Sequence, residues 1–300
     1  MYKNMNAVSL GIRATLSEAV ELALLGGFQG IDANMPEVSA LAEGQGFRYV
    51  RSIFESAKLK VGTWRLPVSW QDDDATFESD LEKLKDYAEL AQKVGATRTV
   101  TVVAPASDER PFRENFEWHC ERFRRVADVL ATHNCRLGLG FNAVAKARAA
   151  KPFEFIHTLD ALVQLAGGVG SANVGVVLDT WHVHVAAGSI EEVRKLRAQQ
   201  VVAVQLNDVP EGVAVDQLSE NDRLLPGATG VIDSVAVLAT LRTIGYEGPV
   251  TPEPSSRTAR QMSREQAARK AGEAMTRHWQ AAGLVPTAGE REEATASAEA

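Results

Sequence analysis

The side chains in this chain best suited to proton transfer are acids and an imidazole that end short apolar runs. Asp179 closes the run Val-Gly-Val-Val-Leu at 174–178, and His182 follows three residues later. A three-residue step over a loop or a first helical turn brings an imidazole beside a carboxylate, a pairing that serves as a proton shuttle or as metal ligands. Glu253 ends the last apolar run, and Gln205, Asn207 and Asp208 end the one before it. Asp32 and Asn34 close an early run, and Trp64 and Arg65 sit in the next. A lone carboxylate is costly to bury. Any one of these acids is equally well explained by a helix cap or an arginine partner. Several converging on one cavity point to chemistry. His184 is read as a supporting residue rather than a reacting one.

The elements that must position these groups alternate along the chain. Apolar runs fall at 7–11, 30–34, 60–66, 99–103, 136–141, 174–179, 201–206 and 249–253, most of them rich in Val, Leu or Ile and too short for helices. Helix-like stretches lie between and after them at 16–25, 80–94, 115–133, 152–167, 189–199, 234–244 and 258–282. Such alternation implies a parallel sheet with helical crossovers. Eight units in a chain of 300 residues predict an α/β protein with a (β/α)8 TIM barrel. No GxGxxG follows the first run, which argues against an open doubly wound sheet and against a nucleotide cofactor. The barrel is expected to be a single domain over 1–283. The Ala-, Glu-, Thr- and Ser-rich stretch 284–300 is expected to be a tail. In a barrel the C-terminal strand ends open into one bowl, so the residues named above would meet there.

The totals narrow the function classes. A net charge of −7 opposes a broad nucleic-acid surface. No apolar stretch is long enough to span a membrane, and the N-terminus lacks the apolar core of a leader, so the cytoplasm is the expected compartment. The two cysteines, Cys120 and Cys135, lack metal-binding or redox spacing and are read as free thiols. The expected partner is a small-molecule substrate.

Several segments, in this order, resemble the xylose-isomerase-like TIM barrels, a family of sugar phosphate isomerases and epimerases. They are Gly26-Gly27-Phe28-Gln29-Gly30-Ile31-Asp32, Leu178-Asp179-Thr180-Trp181-His182, Gln205-Leu206-Asn207-Asp208, Asp222-Arg223-Leu224-Leu225-Pro226-Gly227 with Gly230-Val231-Ile232-Asp233, and Gly245-Tyr246-Glu247-Gly248-Pro249-Val250 leading to Glu253. The resemblance covers roughly residues 7–280. It implies keto–enol proton transfer on a small polyhydroxylated or keto substrate, by an isomerase or epimerase. The alternatives are a dehydratase of the inosose or dehydroshikimate kind and a non-catalytic binding barrel. A nuclease of the same architecture would need a basic groove and many more histidines than the six present.

The resemblance also implies a metal held by a Glu, an Asp, a His and a Glu on the last four strands. Asp179 and Glu253 match that set. Gly140 and Gln205 stand where the other two belong, and the segment at 226–230 is one residue longer than the usual form. A metal, if held, would be a weakly bound Mg or Mn on Asp179, Gln205 and Glu253; otherwise there is no cofactor. Glu253 is expected as general base, with His182 and Asp179 as its catalytic companions. Arg223, Gln205, Asp208, Trp64, Trp181, Asp32 and Phe141 are expected to bind substrate. Arg65, Arg110, Lys146 and Arg257 remain candidates for the bowl, and a homo-oligomer is a further expectation from the family.

Overall fold

In the computed structural model, which describes residues 1–255 and 261–284, eight parallel strands close into a ring. They are β1 (Tyr2–Met5), β2 (Gly30–Ile31), β3 (the two pieces Lys60–Val61 and Trp64–Arg65), β4 (Arg98–Val103), β5 (Arg136–Phe141), β6 (Val174–Asp179), β7 (Val201–Leu206) and β8 (Pro249–Pro252). Every neighbouring pair is parallel, and β1 pairs with both β2 and β8. The ring closes through β3: Lys60–Val61 pairs with β2, and Trp64–Arg65 pairs with β4. The fold is the expected (β/α)8 TIM barrel.

Strands β5, β6 and β7 fall where their apolar runs predict, because both faces of these strands are buried and the runs are nearly continuous. The first strand does not. Residues 7–11 form turns, and β1 lies earlier, at Tyr2–Met5. Its buried Asn4 donates to Asp32 and to Thr251 Oγ1, so a polar residue takes an interior place and the strand reads poorly as an apolar run.

The helices cover the outside. Leu16–Leu25 starts at a capping box between Thr15 and Glu18. The helix expected at 80–94 begins earlier, at Asp74, because Asp73 caps it by accepting from the Thr76 N–H. The helix expected at 152–167 begins only at Leu159, where Thr158 caps it. The stretch at 189–199 splits into a helix at Ile190–Arg194 and a 3-10 turn at Ala198–Gln200. Of the last predicted helix, Arg264–Ala281 is present. Two helices, Met35–Gln45 and Phe47–Ser56, follow β2 where the sequence reading placed none. Pro36, Gly44 and Gly46 break their pattern. Cys120 and Cys135 are buried free thiols. Among the described residues no helix is long and apolar enough to cross a membrane. Apart from Leu284, the predicted tail lies outside the described residues, as does Arg257.

Candidate active site

At the C-terminal ends of the strands lies a cavity of about 340 Å³. β6 brings Asp179 to it, and the short helix Thr180–Val185 brings His182. Gln205 comes from β7, Glu253 from the end of β8, and Phe141 from β5. Glu220 and Arg223 reach in from the long connection after β7, and Ser9 and Ser255 stand at the rim.

Asp179 organises one side. Its Oδ1 accepts from the backbone N–H of Trp181 at 2.9 Å and of His182 at 3.3 Å, capping the short helix, and from Asn207 Nδ2 at 3.2 Å. Its Oδ2 accepts from Arg223 Nη1 at 2.7 Å. Burial alone would push the Asp179 carboxyl up, but the adjacent Arg223 and these donors hold it below its usual range, so it is ionised.

Arg223 is the hub. Beyond Asp179, its Nε donates to Glu220 at 2.6 Å and its Nη2 to His182 Nε2 at 2.8 Å, and the guanidinium lies 4.6 Å from the centre of the Trp181 ring. Burial opposes its charge, but Asp179 and Glu220 more than compensate, and its pKa is raised. Arg223 can only donate, so in this charge-assisted contact His182 Nε2 accepts. The Ala143 N–H points at Nδ1 from 3.3 Å, a longer and uncharged contact. Burial lowers the His182 pKa, Asp179 opposes that, and Arg223 adds to it. In this arrangement His182 holds Arg223 in place and has no proton to deliver from Nε2.

Glu253 stands apart from that cluster. Among the described residues its only side-chain hydrogen bond runs from Asn6 Nδ2, at 3.1 Å. Burial first, and the nearby Asp32 second, raise its pKa to about 8, against the lowering pull of Arg223. Asp32 accepts from Asn4 Nδ2 at 2.7 Å and from the Thr63 N–H at 2.6 Å, and burial raises it to about 6. Gly62 makes room for this: a Cβ there would lie 2.4 Å from Asp32 Oδ1 and 2.3 Å from Asn4 Oδ1.

The structure thus brings Asp179, His182, Gln205, Arg223, Phe141 and Glu253 together and leaves four other expected residues out of the cavity lining. Trp64 is buried on the outer side of the barrel, where its Nε1 donates to the Ala96 carbonyl at 2.6 Å. Trp181 is fully buried beneath Arg223. Asp208 accepts backbone N–H bonds from Val209, Thr229, Gly230 and Ile232, so it pins the connection after β7. Burial would raise its pKa, but these four donors hold it low. Asp32 acts on the cavity only through its field at Glu253. Arg65 and Lys146 are exposed, and Arg110 stacks 4.4 Å from the Trp118 ring, away from the cavity. Glu220, Asn6 and Val102 belong to the site and escaped the sequence reading. Glu220 opens a single 3-10 turn, Glu220–Asp222, too short to give a periodic signal, and Asn6 was hidden by the misplaced first strand.

The donor set does not suit a divalent cation. Gly140 offers no ligand, Gln205 offers a neutral amide, and Asp179 is already paired with a guanidinium. Among the described residues no three His, Cys, Asp or Glu side chains gather as metal ligands.

Known proteins agree with this architecture. The model of the family described as xylose isomerase-like TIM barrel matches residues 18–278. A solved structure, a xylose isomerase domain protein from Alicyclobacillus acidocaldarius, superposes with a TM-score of 0.84 at 27% identity, covering 94% of this chain and 99% of that one. An inosose isomerase of Bacillus velezensis is 24% identical over 60% of this chain and 61% of its own length, so the match spans about three fifths of that relative. A 3-dehydroshikimate dehydratase of Pseudomonas aeruginosa is 25% identical over 84% of this chain and 38% of its own length.

Proposed function

This chain belongs to the xylose isomerase-like TIM barrel family, and on that footing we propose that it is a keto–enol isomerase that moves a proton on one face of a small ketone, with little or no dependence on a metal. One observation carries the reading: a single carboxyl with a pKa raised to about 8 stands across the cavity from a guanidinium held by three partners.

Glu253 acts first. When ionised, its carboxylate takes a proton from the carbon beside the substrate carbonyl, and the C–H electron pair moves through the forming C=C bond to the carbonyl oxygen. A base with a pKa near 8 is stronger than an ordinary carboxylate, though only about a tenth of it is ionised at pH 7. Arg223 receives the developing negative charge on oxygen. Its Asp179, Glu220 and His182 contacts fix its direction before reaction, so little reorganisation is needed. The hydroxyl on the deprotonated carbon passes its proton to the enediolate oxygen held by Arg223, and Glu253, now protonated, returns its own proton to the former carbonyl carbon, so that the carbonyl and the hydroxyl exchange places. Gly140 places no second carboxylate on the opposite wall. The reaction therefore uses one base on one face, and two-base epimerisation does not fit.

The same Glu253 proton could instead leave with a β-hydroxyl, giving a dehydratase. The raised pKa supports that second reading, because a carboxylic acid kept neutral at pH 7 can protonate a leaving group.

Wild-type protein in D2O is expected to exchange the α-protons of 3-dehydroshikimate, and Glu253→Gln to lose at least 100-fold of that rate, about the scale of one general base. Exchange unchanged in Glu253→Gln would end the proposal. Elemental analysis should find divalent metal well below one equivalent per chain; one tightly held ion per chain would contradict metal independence.

A further inference from the structure

The wall of the cavity formed by β4 and β5 is the opposite of the Asp179–Arg223–Glu253 side. On β4, Arg98 crosses the barrel interior to donate to the Val202 carbonyl of β7 at 3.0 Å. Side chains of a strand alternate, so Val100 and Val102 share that inward face, one and two steps nearer the mouth. Both line the cavity, and Val102, beyond the last residue paired with β3 and beside Gly140 of β5, is 58% exposed. The Thr101 hydroxyl lies on the other face, accepting from Trp70 Nε1 at 3.0 Å, and offers the cavity nothing. Phe141 and Val177 complete the apolar part of this wall, and Asn142, whose Oδ1 accepts from the Val144 N–H at 2.9 Å, stands beyond it at the mouth end of β5.

Two glycines on β5 separate packing from ligand space. Gly138 and Gly140 face the same way, two residues apart. A Cβ on Gly138 would lie 3.1 Å from atoms of Val177 and Val202, so a methyl there makes these branched side chains give by a few tenths of an ångström. A Cβ on Gly140 would find its nearest neighbour at 3.4 Å, an ordinary contact. Packing does not require Gly140. A strand glycine that packing does not require marks a place where a ligand comes close.

We propose that Val100, Val102, Gly140, Phe141 and Val177 form an apolar subsite for the hydrocarbon edge of the substrate. The substrate class is then a ring ketone with oxygen on the edge facing Arg223 and bare carbon on the edge facing β4 and β5, not a fully hydroxylated sugar or cyclitol. A hydroxyl turned to that wall loses its water and finds no side-chain partner on those five residues, which weakens binding by about tenfold or more per group. The inference uses the proposed ketone chemistry to orient the substrate; the subsite itself stands on the lining and the glycine geometry.

The test compares 2-hydroxycyclohexanone with inosose, its pentahydroxy counterpart, by calorimetric titration, and follows α-proton exchange of each in D2O. The first is expected to bind wild-type protein at least tenfold more tightly. Val102→Thr, nearly isosteric, should shrink that preference to under threefold, and Gly140→Val should abolish binding of 2-hydroxycyclohexanone. Thermal unfolding of each variant shows whether it is folded. Equal or tighter binding of inosose by the wild type, a preference untouched in the folded Val102→Thr protein, or no binding of either ketone would overturn the subsite. Exchange of both ketones without a preference would sink the subsite and leave the reaction standing. A preference without exchange would sink the reaction and leave the subsite.

Discussion

The mouth of this barrel has two unlike arcs. From β6 through β8 to β2, the inward side chains are Asp179, Gln205, Glu253, Asn6, Asn4 and Asp32, tied into hydrogen bonds with Arg223 and with one another. Across β4 and β5 they are Val100, Val102 and two glycines, with Asn142 at the mouth. The first arc holds charge at fixed positions; the strand positions of the second supply space and apolar surface. A barrel built of equal βα units gives no reason for this asymmetry. In the proposed chemistry the polar arc sets which proton moves, and the bare arc sets what can lie beside it.

The largest effect should come from breaking the polar arc at its hub. Arg223→Met leaves Asp179 buried and unpaired and is expected to cost about 3–5 kcal/mol of stability, read by urea unfolding. If folded protein is recovered, its exchange rate should fall about 100- to 1,000-fold. A loss under 1 kcal/mol would mean that the ion pair contributes little.

A smaller effect concerns pH. The Glu253 carboxyl has its folded pKa raised from an ordinary 4.5 to about 8, so between those values the folded state holds more protons than the unfolded one. Stability therefore falls as pH rises through that window and levels off above it, by on the order of a few kcal/mol in all. Glu253→Gln should flatten this slope, and unfolding free energies measured from pH 5 to pH 9 would show it. A parallel slope in wild type and variant would place the titration elsewhere.

The smallest effect sharpens the bare arc. Gly140→Ala should be neutral or stabilise by about 0.5–1 kcal/mol, since the Cβ fits and the unfolded chain loses freedom. Gly138→Ala should destabilise by about 1 kcal/mol or more through overpacking against Val177 and Val202. Equal melting shifts for the two would mean that Gly140 is as constrained by packing as its neighbour.

How far the sequence carried the reading follows the same division. Asp179 and Glu253 were legible because each ends a buried strand, and a carboxylate there needs a reason. The bounds of β5, β6 and β7 followed from unbroken apolar runs. Asn4 and Asn6 were not legible, since β1 turns polar atoms inward and the neighbouring run at 7–11 looked more like a strand. Glu220 was invisible because its role depends on how a loop folds back over His182 and Arg223. Trp64 misled for a simpler reason. β3 is interrupted at Gly62 and Thr63, and the indole after the break turns outward to the Ala96 carbonyl. Gly140 was read as a missing ligand; what it provides is visible only beside Gly138.

Direct titration of the Glu253 carboxyl, by carbon NMR with labelled glutamate assigned through Glu253→Gln, tests the account at its centre. The polar arc predicts a midpoint of about 8, moving higher still in folded Arg223→Met. A midpoint at or below 4.5, the ordinary value for a glutamate, would show a carboxylate ionised throughout the neutral range, and the acid that waits across from Arg223 would not exist.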